Sequence, residues 1–206
     1  MQVLQAWLLF PALLALLSLG WGLLVEWLSR ARLAGALVLP LGLAAIIVAT
    51  RAAMSLDITA ELGTPVAVAG AIAGFVLGRR RLRTQQLDRW AALAAVVVFL
   101  VFTAPIVLSG SATFAGYTIL GDTAVHFVLV DHIATHGTDL AGLRPSGYRA
   151  TLEAYFASGY PLGAHAALGA VRPLAFLDVA WAFQPFLAFV AAMLALTLVG
   201  LLRGVV

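Results

Sequence analysis

The sequence predicts an all-α protein: a polytopic transmembrane helical bundle of about six spans, with a long external loop that carries surface helices. Three observations predict it. Hydrophobic residues make up 63% of the chain and charged residues only 10%, where a soluble domain averages roughly a quarter charged. The mean hydropathy is +1.05, and the apolar residues gather in runs long enough to cross a bilayer core of about 30 Å. The arginines cluster between runs, where the positive-inside rule wants them. Cysteine is absent, which removes disulfides and thiolate metal sites. Every basic residue other than histidine is arginine, and the clustering of these charges in loops speaks against nucleic-acid binding. Residues 1 to 6 lack the basic start of a cleaved signal peptide.

The first run is Val3 to Leu28, interrupted by Gln5, Pro11, Ser18 and Glu26, with Trp7, Trp21 and Trp27 towards its two ends. Amphipathic rings of this kind settle at headgroup level. Ser29-Arg30-Ala31-Arg32 is a short basic connection. The second run, Leu33 to Thr50, contains Pro40 and Gly42, a combination that membrane helices tolerate. Arg51, Asp57 and Glu61 mark the next linker. The third run, Leu62 to Gly78, has Gly70 and Gly74 in GxxxG spacing, which lets two helices approach closely or arises by chance in a Gly/Ala-rich run. Five arginines between residues 79 and 89, against Asp88 alone, predict a cytoplasmic loop. The connection at Arg30 and Arg32 is then cytoplasmic too, and the Asp57/Glu61 linker and the N-terminus are external. Residues 1–89 thus form an N-terminal three-span region.

The fourth run, Trp90 to Ser109, rises to a polar segment from Gly110 to about Gly159, the longest stretch without a span. After Tyr160-Pro161 two readings stay open. In one, a short span over Leu162 to Leu177 turns at Asp178, the N-cap of a return span from Val179 to Leu202, and Arg172 snorkels to the cytoplasmic face. In the other, residues 160–172 form a surface or re-entrant helix with a single span after it, which places Arg203 inside. The first is preferred.

The chemistry gathers in Gly121 to Gly137, GDTAVHFVLVDHIATHG, with three of the four histidines and two of the nine acidic residues. At about 100° per residue, Asp122, His126, Leu129, Ile133 and His136 share one helical stripe, His132 lies beside it, and Asp131 faces away. Asp122 is placed as an N-cap, which does not exclude catalysis. His126 lies one turn on, so a hydrogen bond between them could orient and polarise a base, or the pair could supply two metal ligands. His132 and His136, at i and i+4, could hold a divalent metal from one face, with Asp131 as a supporting partner if the helix broke near it. The HEXXH pattern is absent, since Ile133 follows His132. Arg144 and Arg149, near Glu153, are either plain surface charges or a grip on phosphate, for which a guanidinium fork is suited. Tyr160-Pro161-Leu162-Gly163-Ala164-His165 opens the next helix with proline in the first turn. His165 falls just inside the membrane boundary, where an ionisable side chain is a functional candidate.

A rising span, a loop that opens with Asp122 and His126, and the Tyr-Pro-x-Gly-x-His sequence of Tyr160, Pro161, Gly163 and His165 together resemble the GT-C-type membrane glycosyltransferases. The resemblance covers about Trp90 to Leu202, so that residues 90–206 read as the start of a GT-C-like core: a span, the external loop 110–159 and two further spans. It implies a multi-pass protein of the plasma membrane that takes a sugar from a polyprenyl-phosphate donor to an acceptor on the outer face. It maps the family's acidic loop residue, a base or metal ligand, onto Asp122. The first three runs precede the span that comes first in that family, and its members continue for several more spans. The chain is accordingly expected to be the N-terminal portion of a longer enzyme, or to work beside a partner subunit. Two other classes stay open: a transporter or permease-like module gated by the polar helix, and a non-catalytic assembly subunit. Ionisable residues are nearly absent within the runs before residue 110, which counts against transport.

Overall fold

The computed structural model describes residues 1–83, 85, 88–109 and 121–202. Among them every regular element is helical. In chain order these are α1 (Gln2–Ser29), α2 (Gly35–Ala53), the single turn α3 (Asp57–Ala60), α4 (Gly63–Leu77), the single turn α5 (Arg79–Leu82), α6 (Arg89–Leu108), α7 (Asp122–His136), α8 (Gly147–Ala157), α9 (Gly163–Val171), a 3-10 turn (Arg172–Ala175) and α10 (Val179–Leu202). By length and composition α1, α2, α6 and α10 can each cross a membrane. The expected start of the polar segment at Gly110 and the placing of Arg203 lie outside the described residues.

Among the described residues, two of the six expected spans fold as helices shorter than crossing length. The third run folds as the 15-residue α4, about 22 Å long at 1.5 Å per residue. Leu162 to Leu177 gives only the nine-residue α9 before Arg172-Pro173 tightens the chain into a 3-10 turn. A helix of that length reaches about 13 Å, less than half the hydrocarbon thickness.

Glycines set the spacing of the first three long elements. A Cβ on Gly42 would stand 1.7 Å from the Ser18 carbonyl oxygen, and one on Gly74 would stand 1.8 Å from that of Gly20. Backbones of α1, α2 and α4 therefore touch, which is how small residues hold helices together where lipid supplies no hydrophobic drive. Gly70 leaves room for the Trp21 ring, whose Nε1 donates to the Ala67 carbonyl at 2.8 Å. The GxxxG spacing is thus a real contact surface.

The connections sort to two ends. At one, the buried Glu26 carboxylate accepts from Leu33 N (2.7 Å) and Gln85 Nε2 (2.9 Å), and Arg81 donates to the Ala31 carbonyl. These bonds tie the Arg30/Arg32 connection to the Arg79–Arg89 connection. Gly200, near the end of α10, meets Ala36 at this same basic end. At the other end, Thr138 Oγ1 donates to the Ser55 carbonyl (3.0 Å), and Gly137, at φ +60°, lies against the backbone of Met54 and Leu56. A polar end carrying α3, α7 and α8 results.

Into this polar end α9 is inserted. Gly163 packs on Ile47 of α2, Thr64 Oγ1 of α4 donates to the Ala170 carbonyl (2.7 Å), and Gly169 lies under Val130 and Ala134 of α7. His165 to Val171 are all buried. Arg172 does not reach for the opposite face. It pairs with Asp131 of α7 at 2.6 Å, because the 3-10 turn ends at the same level as that helix. The snorkelling expected of it is corrected accordingly. Asp178 stands immediately before α10, as expected, and its carbonyl accepts from Trp181 and Ala182.

Candidate functional site

The site is built where α7 crosses α9. Its first determinant is the turn that ends α8. Gly159 takes φ +69°, Gly159 N donates to the Phe156 carbonyl and Tyr160 N to that of Tyr155. This double closure satisfies the last carbonyls of a helix and needs a residue at ease in the left-handed region. It brings Tyr160 and Pro161 to the edge of a cleft and places His165 in the first turn of α9. The cleft, of about 240 Å³, is lined by His126, Tyr160, Pro161, His165, Phe183 and Phe186 among others.

Inside it His126 Nδ1 lies 2.9 Å from His165 Nε2, so one ring donates to the other. The His126 ring stacks on Phe183 at 5.7 Å between centroids and 23° between planes. Tyr160 stands 5.8 Å from the His165 ring, nearly edge-on, and is itself held by Tyr155 at 5.0 Å. His165 is 8% exposed. Burial, with His126 beside it, pushes its imidazole down to about 4, so it is neutral at physiological pH. Its Nδ1 is buried without a partner among the described residues. A neutral, fixed imidazole behind a second, half-exposed one is an arrangement that can accept and pass a proton.

The other sequence candidates fall in different places. Asp122 is the first residue of α7, after Gly121 at φ +56°, and is exposed. It is not the N-cap, and among the described residues no hydrogen bond joins it to His126. The partner of His126 is His165 instead. Asp122 remains one helical turn from His126, at the end where a carboxylate complements the helix dipole.

His132 and His136 do come together, stacked at 5.1 Å and 19°, but not as an open pair of ligands. His132 Nε2 donates to the Asp139 carbonyl (2.8 Å), and Nδ1 accepts from the Tyr148 hydroxyl (3.3 Å). Both ring nitrogens are engaged in holding the loop 137–146 and α8 onto α7. Burial, ahead of the nearby His136, lowers His132 below its usual value. Among the described residues no group of three or more His, Asp or Glu side chains is placed to hold a metal. These two residues do not fit a metal centre. Asp131 is a partner of Arg172 rather than of a histidine.

Arg144 is exposed, and Arg149 donates to the Leu143 carbonyl at 2.7 Å. Neither lines the cleft. Two side chains had no signal in the sequence. Phe183 is one aromatic among several in an apolar helix. Arg51, in the last turn of α2, has a buried Nη1 without a partner among the described residues.

The molecule is thus an all-helical protein with, among the described residues, four helices able to cross a membrane and a histidine cleft at one end. Compared with protein families, with curated proteins and with solved structures, the chain finds no match in any of the three.

Proposed function

We propose that the chain belongs to a membrane glycosyltransferase of the GT-C type, which transfers a sugar from a polyprenyl-phosphate donor to an acceptor hydroxyl. The observation that supports it best is the 2.9 Å contact between His126 and His165. It joins the Asp-x-x-x-His opening of α7 to the Tyr-Pro-x-Gly-x-His opening of α9, two motifs distant in sequence, in a single cleft. In this reading the basic end faces the cytoplasm, following the positive-inside rule, and the polar end faces outwards.

The acceptor oxygen attacks the anomeric carbon as the bond from that carbon to the phosphate oxygen breaks, and the electron pair leaves with the phosphate. The acceptor proton goes to the imidazole of His126, whose Nδ1 is occupied by His165 and whose Nε2 is left for substrate. Asp122, a turn away from His126, is a second base, a carboxylate, or an orienting group. Tyr160 and Phe183 give the sugar ring two aromatic faces. A buried carboxylate in a span would favour transport, but Glu26 is tied to the basic-end connections.

The test is transfer from a labelled polyprenyl-phosphate sugar in proteoliposomes holding the complete polypeptide. His126→Ala and Asp122→Asn should each lower transfer with insertion and folding retained. Unchanged transfer in both would overturn the reading.

A further inference from the structure

We propose a second site, at the basic end, that binds the headgroup of an anionic phospholipid in a cup formed by Arg79, Arg80 and Arg83. These three side chains line a cavity of about 310 Å³, and all three are exposed. This end of the molecule holds seven arginines (30, 32, 79, 80, 81, 83 and 89) against two carboxylates, Glu26 and Asp88. Both carboxylates are committed elsewhere. Glu26 is buried on Leu33 N and Gln85 Nε2, and Asp88 accepts from Trp90 N at 2.8 Å as the cap of α6. Arg81 turns away to the Ala31 carbonyl. The positive charge of the cup is therefore not neutralised by a carboxylate at its own end, and three guanidinium forks suit the oxygens of a phosphodiester.

The surroundings select a lipid over a soluble anion. Val76, Leu77 and Leu82, which adjoin the cup arginines along the chain, are exposed apolar side chains, as is Trp90 at the start of α6, and the Arg89 guanidinium sits 5.5 Å from the Trp90 ring centroid. Tryptophan and arginine at the end of an apolar helix mark the headgroup level, so a phosphate here carries its acyl chains along apolar surface. The site does not depend on the chemistry of the polar end.

The test is native mass spectrometry of the purified full chain from micelles containing equal phosphatidylglycerol and phosphatidylcholine. A guanidinium in hydrogen-bond contact with the phosphodiester is worth roughly a factor of five or more in affinity through those bonds. Arg79→Gln/Arg83→Gln should therefore lose about 25-fold in phosphatidylglycerol retention. Arg30→Gln/Arg32→Gln removes the same charge at the same end outside the cup, and should keep retention within about twofold of the parent. Equal losses in the two variants would show diffuse charge and overturn the site. Equal retention of phosphatidylcholine, or full displacement of phosphatidylglycerol by millimolar inorganic phosphate, would overturn it as well.

Discussion

His126 and His165 face each other across the α7–α9 crossing with ring nitrogens 2.9 Å apart, although 39 residues separate them. The pair is asymmetric. His165 is buried and kept neutral, whereas His126 is half-buried and borders the open part of the cleft. A buried imidazole that holds its neighbour in one orientation fixes which nitrogen of that neighbour meets a substrate.

This asymmetry gives stability a defined pH dependence. His165 binds its proton at about 4 when folded and near 6.5 when unfolded. Between those values the unfolded chain holds the proton and the folded chain does not. Stability is therefore intact above about pH 6.5 and is lost as pH falls towards 4, by roughly 3 kcal/mol at most. His132, also lowered by burial, acts in the same direction. Thermal melts in detergent should fall steadily over this window, and His165→Gln should flatten much of the slope. A slope identical to the parent's would refute the assignment.

Removing the two imidazoles should have different kinetic consequences. His126→Ala deletes the proposed proton acceptor and should lower kcat about a hundredfold or more, the usual contribution of a positioned base. His165→Ala leaves that base present but unsupported, so the loss should be smaller and the pH–rate profile should shift. His165→Asn, which retains a hydrogen-bonding group, should recover part of the activity. Steady-state transfer across pH with the three variants separates proton acceptor from positioning residue. Equal losses without a change in profile would indicate a purely structural role for His165.

What could be read from the sequence was what depends on neighbours along the chain. Apolar length located α1, α2, α6 and α10, because about 20 residues without charge are enough to define a span. The arginine clusters at 30–32 and 79–89 foretold that these connections share an end, since each loop carries its own charge. Leu162 to Leu177 reads by preference as a span for the same reason. Its composition equals that of a span, and only Arg172-Pro173, together with the packing of Gly163 and Gly169, makes it a short buried helix. The stripe through Asp122 and His126 gave the correct helix but the wrong hydrogen bond. Periodicity reports which residues share a face and says nothing about a third element. His165 reaches that face through the Gly159 turn, a tertiary event. Likewise the i, i+4 spacing brought His132 and His136 together but could not show that Asp139 and Tyr148 occupy the ring nitrogens of His132.

The glycine contacts make a sharper prediction about assembly. In Gly42→Ala the new methyl group would overlap the Ser18 carbonyl oxygen, and in Gly74→Ala that of Gly20. Backbone atoms cannot yield as a side chain does, so the helices must separate. A cost of about 1–3 kcal/mol or more is expected for each. Gly147→Ala serves as the control, since open space surrounds that position and its φ lies outside the left-handed region. Unfolding in mixed micelles should rank Gly42 and Gly74 well above Gly147. A similar cost at all three would mean that the close α1–α2–α4 approach is not what holds the bundle.

The Arg172–Asp131 pair fastens α7 to the turn after α9, and its two halves are unequal. Arg172 is 17% exposed and Asp131 52%, so the carboxylate is well hydrated when alone and the guanidinium is less so. Arg172 also has a buried Nε with no partner among the described residues. Removing Asp131 therefore leaves a poorly solvated cation, while removing Arg172 leaves a carboxylate that water can serve. Asp131→Asn should cost more than Arg172→Gln. Their coupling in a double-mutant cycle should be about 0.5–1 kcal/mol, near the upper range for exposed pairs. Because the pair anchors the turn after α9, the element that carries His165, its loss should also loosen the 2.9 Å imidazole contact. In Asp131→Asn the pH dependence of melting assigned to His165 should shrink, as a more solvated imidazole returns towards its ordinary value. If the cycle shows no coupling, or if the pH dependence stays at the parent's level, the pair is only a surface contact and α9 is held by packing alone.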